Sequence, residues 1–181
     1  MFNITKLKKL IESNNNFSQL QILPNLNLYY SHMAGRMLLT LKGKEGSNII
    51  QFLQKLKYRR IEDNLEVVNH YNNDKIKSTF EQITEDYRSN GIATNTNITF
   101  IDDSWNKEGK KVTVFNLDGI IRCFESEYID IFKQDKVYYY TNKAKETLTV
   151  VNQHFDVLAV MVPYGNLKGE ELKNKIIECL N

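Results

Sequence analysis

Apolar residues recur along this chain in two rhythms, and their alternation lays out its elements. Met1 to Ile4 reads as a short strand, and behind Thr5, a residue suited to cap a helix, Leu7, Leu10 and Ile11 recur at helical spacing. Beyond the Asn14-Asn15-Asn16 break, Ile22 to Tyr30 reads as a strand entered through Pro24. Ala34-Gly35-Arg36 suits a hairpin turn, and Met37 to Leu41 reads as the returning strand.

A similar order returns later. Phe2-Asn3-Ile4 through Glu12-Ser13 is echoed by Phe115-Asn116-Leu117 through Glu125-Ser126, and a Tyr-Tyr strand follows each copy, Tyr29-Tyr30 and Tyr139-Tyr140. Lys111 to Phe115 alternates as a strand. Asp118 suits a helix cap ahead of Ile120, Ile121 and Phe124, and three strands follow, Val137 to Thr141, Thr147 to Val151 and Phe155 to Val162. Short connections between these strands predict antiparallel pairing.

Between the copies, Asn48 to Tyr58 and Ile76 to Tyr87 carry helical patterns, with strand-like Leu65 to Val68 and Ile98 to Ile101 beside them. The tail from Lys168 to Leu180 is amphipathic, with Leu172, Ile176, Ile177 and Leu180 on one side. These patterns predict an α+β fold. It would be an antiparallel sheet of two pseudo-repeated β-α-β-β units packing two helices on one face, plus an inserted helical segment and a C-terminal helix. No Pro-, Gly- or Ser-rich linker divides the chain, so residues 1–181 read as one domain. Its half-units would span about 1–45 and 110–165, the insertion about 46–109 and the terminal helix 168–180.

Composition narrows function only by exclusion. A hydrophobic share of 41% and a charged share of 25% are ordinary for a soluble globular chain. A net charge of +2 means that any nucleic-acid contact must come from local clusters. The two cysteines, Cys123 and Cys179, lack metal-ligand spacing and read as incidental thiols of a reducing compartment. The first ten residues lack a signal-peptide core, and the apolar run Val157 to Pro163 is too short to span a bilayer, so a cytoplasmic location away from membranes is expected.

His32, His70 and His154 stand far apart, and no Gly-rich phosphate loop, nucleophile elbow or Cys-His pairing occurs. Asp102-Asp103 could meet a metal, but the flanking Asn106, Lys107 and Gly109 favour a turn. The expectation is a non-enzymatic protein without metal or cofactor. On a strand, Tyr138 and Tyr140 would share one face and Tyr139 take the other.

Several of these segments resemble DNA polymerase sliding clamps. Phe2-Asn3-Ile4 with Leu7, Leu10 and Ile11 is similar to the opening strand and helix of bacterial clamps. Ile22-Leu23-Pro24-Asn25-Leu26 is similar to their Leu-Pro strand, and Gly35-Arg36-Met37-Leu38-Leu39-Thr40-Leu41 to the strand after the next turn. Val112-Thr113-Val114-Phe115 and Val157 to Pro163 resemble later clamp strands. The resemblance implies a domain built from two copies of one unit, and partners that are double-stranded DNA and replication proteins. Because the chain has room for one such domain, it also implies a homo-oligomeric ring, of about six copies if the bacterial domain count is kept.

Two basic clusters are the candidate DNA contacts. Lys6, Lys8 and Lys9 lie on the first helix, where the resemblance places them toward phosphates; a solvated outer face is the plain alternative. Lys55, Lys57, Arg59 and Arg60 surround Tyr58, a pattern that can hold a backbone and stack a base, and equally one that a helix C-terminus favours through its dipole. The region around Ile120 carries Asp118, Glu125 and Glu127 against Arg122, so the two copies differ in charge. A small protein-interaction or regulatory module of mobile-element origin, without DNA binding, stands as the alternative function.

Overall fold

The computed structural model describes residues 1–13, 19–23, 27–32, 35–62, 75–103, 109–165 and 169–180. The expected first strand reduces to a single bridge between Phe2 and Phe132. Asn3, not Thr5, caps the helix that follows: its Oδ1 accepts the Lys6 amide at 3.2 Å, which commits the chain to α1 (Ile4–Ser13) two residues early.

The strand expected from Ile22 to Tyr30 is instead a hairpin. β1 (Gln19–Ile22) and β2 (Leu28–His32) pair antiparallel with Ile22 opposite Leu28. Pro24 lies outside the described residues. β3 (Met37–Leu41) returns along β2 after a turn in which Gly35 takes φ +92°.

α2 (Gly43–Glu62) contains the first helical pattern of the middle; α3 (Lys75–Thr84) takes the second only as far as Thr84, and a 3₁₀ turn, Tyr87–Ser89, follows. The Leu65 to Val68 strand lies outside the described residues. Next come β4 (Ala93–Asp102), β5 (Lys110–Leu117), β6 (Ile120–Glu125) and the single-turn helix α4 (Ser126–Ile129). β7 (Val137–Thr141), β8 (Leu148–Asn152), β9 (Val157–Met161) and α5 (Gly169–Leu180) complete the chain.

The α+β class with antiparallel sheets is what the structure has. The helix expected behind Asp118 is not. Asp118 and Gly119 take φ +49° and +93°, and the Gly119 amide donates to Asn116 Oδ1 at 2.7 Å, so the chain reverses in two residues and β6 pairs back along β5. Asp-Gly between apolar, β-branched residues is a strong hairpin signal, and it overrides the helical spacing of Ile120, Ile121 and Phe124. The echo of Phe2–Ser13 at Phe115–Ser126 is therefore one of letters, and the two helices do not sit as an equivalent pair on one face.

Six strands form one sheet in the order β1-β2-β3-β9-β8-β7, and β4-β5-β6 form a second. The larger order reads as two three-stranded meanders joined through their last strands, β3 against β9. The main core lies between the sheets and beneath α1 and α2. Leu7, Leu10 and Ile49 from the helices meet Leu39 and Ala159 from the large sheet and Phe115 from the small one.

β5 has a core on each side: Phe115 and Leu117 face the main core, while Val112 and Val114 meet Phe100, Cys123 and Leu172 under α5. On the outer face of the large sheet, Ile76 and Phe80 of α3 cover Tyr29, Leu38 and Val160. Within the segment 46–109, α2 supplies core side chains and β4 is a sheet partner of β5. Of the expected apolar side of α5, Leu172 and Ile176 pack, whereas Ile177 and Leu180 stay exposed. No helix among the described residues is long and apolar enough to cross a membrane.

Candidate functional site

α1 splits its three lysines between two neighbours. Lys6 and Lys9, one turn apart, look toward α4 across a groove of about 300 Å³ whose other wall is Glu127 and Asp130, and Lys6 Nζ meets Asp130 Oδ2 at 3.3 Å. Lys8 points the other way, and its ammonium lies 5.3 Å from the ring centroid of Phe52 on α2. Lys55 is exposed and three residues beyond Phe52, so it neighbours that ring on the helix surface. The remaining members of the second cluster, Lys57, Arg59 and Arg60, follow along the same helix, and their side chains lie outside the described residues.

The two basic clusters, separate in the sequence, therefore meet through one contact. Lys8 joins the α2 series across Phe52. Lys6 and Lys9 do not; they face carboxylates, which lower the local positive potential and oppose an incoming phosphate.

A second concentration of polar chemistry lies at the end of the molecule where β2, β3, β5, β6 and α4 converge. Glu125, 4% exposed, accepts Arg36 Nη1 at 3.1 Å and Lys110 Nζ at 3.2 Å, and the Tyr128 hydroxyl hydrogen-bonds to it as well. Lys110 also bridges to Glu127 at 3.1 Å. Burial opposes the Lys110 charge, yet Glu125 and Glu127 hold its pKa above the ordinary lysine value. Burial raises the Glu127 carboxyl, with Lys110 opposing. It raises the Tyr128 phenol too, and the Glu125 charge adds to that shift.

His32, wholly buried in β2, shares a hydrogen bond of 2.9 Å with Tyr30 through Nδ1 and packs edge-on to Tyr128, while its Nε2 has no partner among the described residues. Burial brings its pKa down to about 4 against the pull of Glu125, so the ring is neutral near pH 7. Asp102 ends β4 as a buried residue hydrogen-bonded by Tyr164, and burial together with Asp102 pushes the Tyr164 phenol up to about 12. The same surroundings push the Cys123 thiol up to about 12, which keeps it protonated and a poor nucleophile.

In this network each carboxylate is tied to a cation or a hydroxyl. It couples the turn that leads into β3, and the start of β5, to β6 and α4, which is the work of a structural clamp on one end of the fold. Among the described residues no cluster of His, Cys, Asp and Glu has the make-up to hold a metal ion. His154 is exposed in the β8–β9 turn, and His70 lies outside the described residues.

Sequence reading missed Glu125, Arg36 and Lys110 because they are spread over 89 residues. The one available signal was a glutamate ending the apolar run Ile120 to Glu125, which on a buried strand demands partners. Neither a family model, nor a curated protein, nor a solved structure matches this chain significantly.

Proposed function

We propose that this chain is a non-enzymatic, clamp-like domain that holds duplex DNA along the seam between α1 and α2. The observation that carries the proposal is the Lys8–Phe52 contact, which continues the basic series of α2 onto α1. Lysines spaced along two adjoining helices neutralise phosphates without reading sequence. Supporting the clamp likeness, each meander of the large sheet follows a helix, α1 before β1 and α4 before β7, and the two meanders meet symmetrically at β3 and β9. Ring closure by copies of the chain belongs to the same proposal.

The test is fluorescence anisotropy with a labelled duplex of about 30 base pairs at about 50 mM salt, beside light scattering of the free protein. Joint replacement Lys8→Glu and Lys55→Glu should weaken binding more than tenfold and lower the salt slope by about 2. A wild-type protein that ignores duplex, or a double variant that binds unchanged, sinks the reading; a monomer at all concentrations sinks the ring.

The acidic wall of the α1–α4 groove favours the second reading, a protein-interaction module without DNA binding. Under it the Lys8→Glu, Lys55→Glu variant keeps its partner and there is no duplex affinity to lose.

A further inference from the structure

The face of the large sheet opposite α1 and α2 carries a rigid aromatic ridge with a cation on it. Tyr139 of β7 points into the main core, so Tyr138 points out, and it is 54% exposed. Its ring stacks on that of Phe155, 44% exposed, with centroids 6.2 Å apart and planes 16° from parallel. The Arg88 guanidinium lies 5.5 Å from the Phe155 centroid and 5.7 Å from that of Tyr87, and its Nε donates to the Tyr87 hydroxyl at 3.0 Å.

Phe155 stands where the backbone asks for a different residue. Its φ is +62°, the left-handed region that suits glycine or asparagine and costs an aromatic side chain. The turn is held without help from the ring. Asn152 Oδ1 accepts the amides of His154 and Asp156 at 2.8 and 2.9 Å, the Phe155 amide donates to Asn152 O at 2.9 Å, and Tyr87 holds the Phe155 carbonyl. What the ring covers is Tyr138 and Arg88, both at the surface. A strained, exposed aromatic that closes no core points to a contact outside the molecule.

We propose that Tyr138, Phe155 and Arg88 form a docking surface for an acidic–apolar polypeptide segment of a partner protein. Aromatic residues and arginine on a preorganised base are the side chains that dominate protein interfaces. Arg88 has no carboxylate at ion-pair distance among the described residues, although Asp156 acts on it from further away. One carboxylate of the partner completes Arg88, and an aliphatic or aromatic side chain beside it covers the two rings. Nucleic acid is the poorer fit: the exposed Glu85 and Asp86 lie within three residues of Arg88, and a row of phosphates would meet them where a single carboxylate need not. The surface is independent of the α1–α2 seam, so failure of DNA binding leaves it standing.

The experiment is selection of a random-peptide phage library on the intact protein with counter-selection on Phe155→Gly. A selected peptide is then titrated against the wild type, Phe155→Gly, Arg88→Gln and the Lys8→Glu, Lys55→Glu variant. Expected are peptides with Asp or Glu beside Leu, Ile or Phe, binding weakened about tenfold or more by Phe155→Gly and by Arg88→Gln, and no change on reversing the lysines. The Tm of Phe155→Gly should hold or rise, since glycine relieves the turn. A lowered Tm would show the ring to be structural and overturn the proposal. So would enrichment that survives counter-selection, peptides without acidic residues, no enrichment at all, or binding of a labelled oligothymidine that Phe155→Gly abolishes.

Discussion

Glu125 and Asp130 are five residues apart in the sequence, and each meets a cation, yet they belong to different kinds of place. Glu125 is 4% exposed, between Arg36 and Lys110 with the Tyr128 hydroxyl on it. The Asp130 side chain is 55% exposed and meets a Lys6 that is 50% exposed. Water reaches both members of the second pair, but in the first it reaches only the cations, whose side chains are 52% and 43% exposed, and not the carboxylate. A buried carboxylate stripped of its cations leaves an unsatisfied group, whereas an exposed ion pair contributes little and can exchange partners. The lesson is that burial decides which charges hold the fold and which remain free to meet something else.

Glu125→Gln should open the widest gap between the two sites. It keeps the shape but removes the charge that Arg36 and Lys110 share, and unfolding in urea should show a loss of about 2 kcal/mol. A loss as small as that of a surface pair would break the contrast.

Acid should expose the same end of the molecule next. His32 has a folded pKa of about 4, below its unfolded value of 6.5, because burial disfavours the imidazolium. The unfolded chain therefore binds the proton first: the stability that His32 contributes is whole above about pH 6.5 and drains away as pH falls toward 4. His32→Phe should flatten that part of a Tm-against-pH curve, and an unchanged slope would place the titration elsewhere.

Asp130→Asn should have the smallest effect on stability, within about 0.5 kcal/mol, while it frees Lys6 and strengthens retention of duplex at low salt. A stability loss to rival that of Glu125→Gln would erase the distinction.

How much of this was legible beforehand follows from what each signal reports. Long amphipathic segments and β-branched runs gave α2, α3, β3, β7 and β9 nearly in place, since those patterns record which side faces a core. The Asp118-Gly119 turn is legible too, but the spacing of Ile120, Ile121 and Phe124 competes with it. A six-residue hairpin strand and one face of a helix can both show such spacing, and only the pairing with Lys110–Leu117 separates them. The lysines were visible as a list. Their division between Asp130 and Phe52 was not, because it depends on which helix packs on either side of α1. The Glu125 network and the Phe155 ridge depend on long-range contacts and on one backbone angle, neither of which composition or spacing encodes.

The seam between the two meanders has a consequence for how the protein is made. β3 finds its second neighbour only in β9, with Leu39 facing Ala159 across most of the chain's length. On the ribosome the first meander must therefore wait with its inner edge, Met37 to Leu41, unpaired until the last strand emerges. That edge is entirely apolar apart from Thr40, so the nascent chain carries an adhesive strip from the completion of β3 until β9 has been made. Folding should close late and slowly, in the manner of a fold whose decisive contacts are distant, and the yield of native protein should depend on how fast residues beyond 150 are delivered.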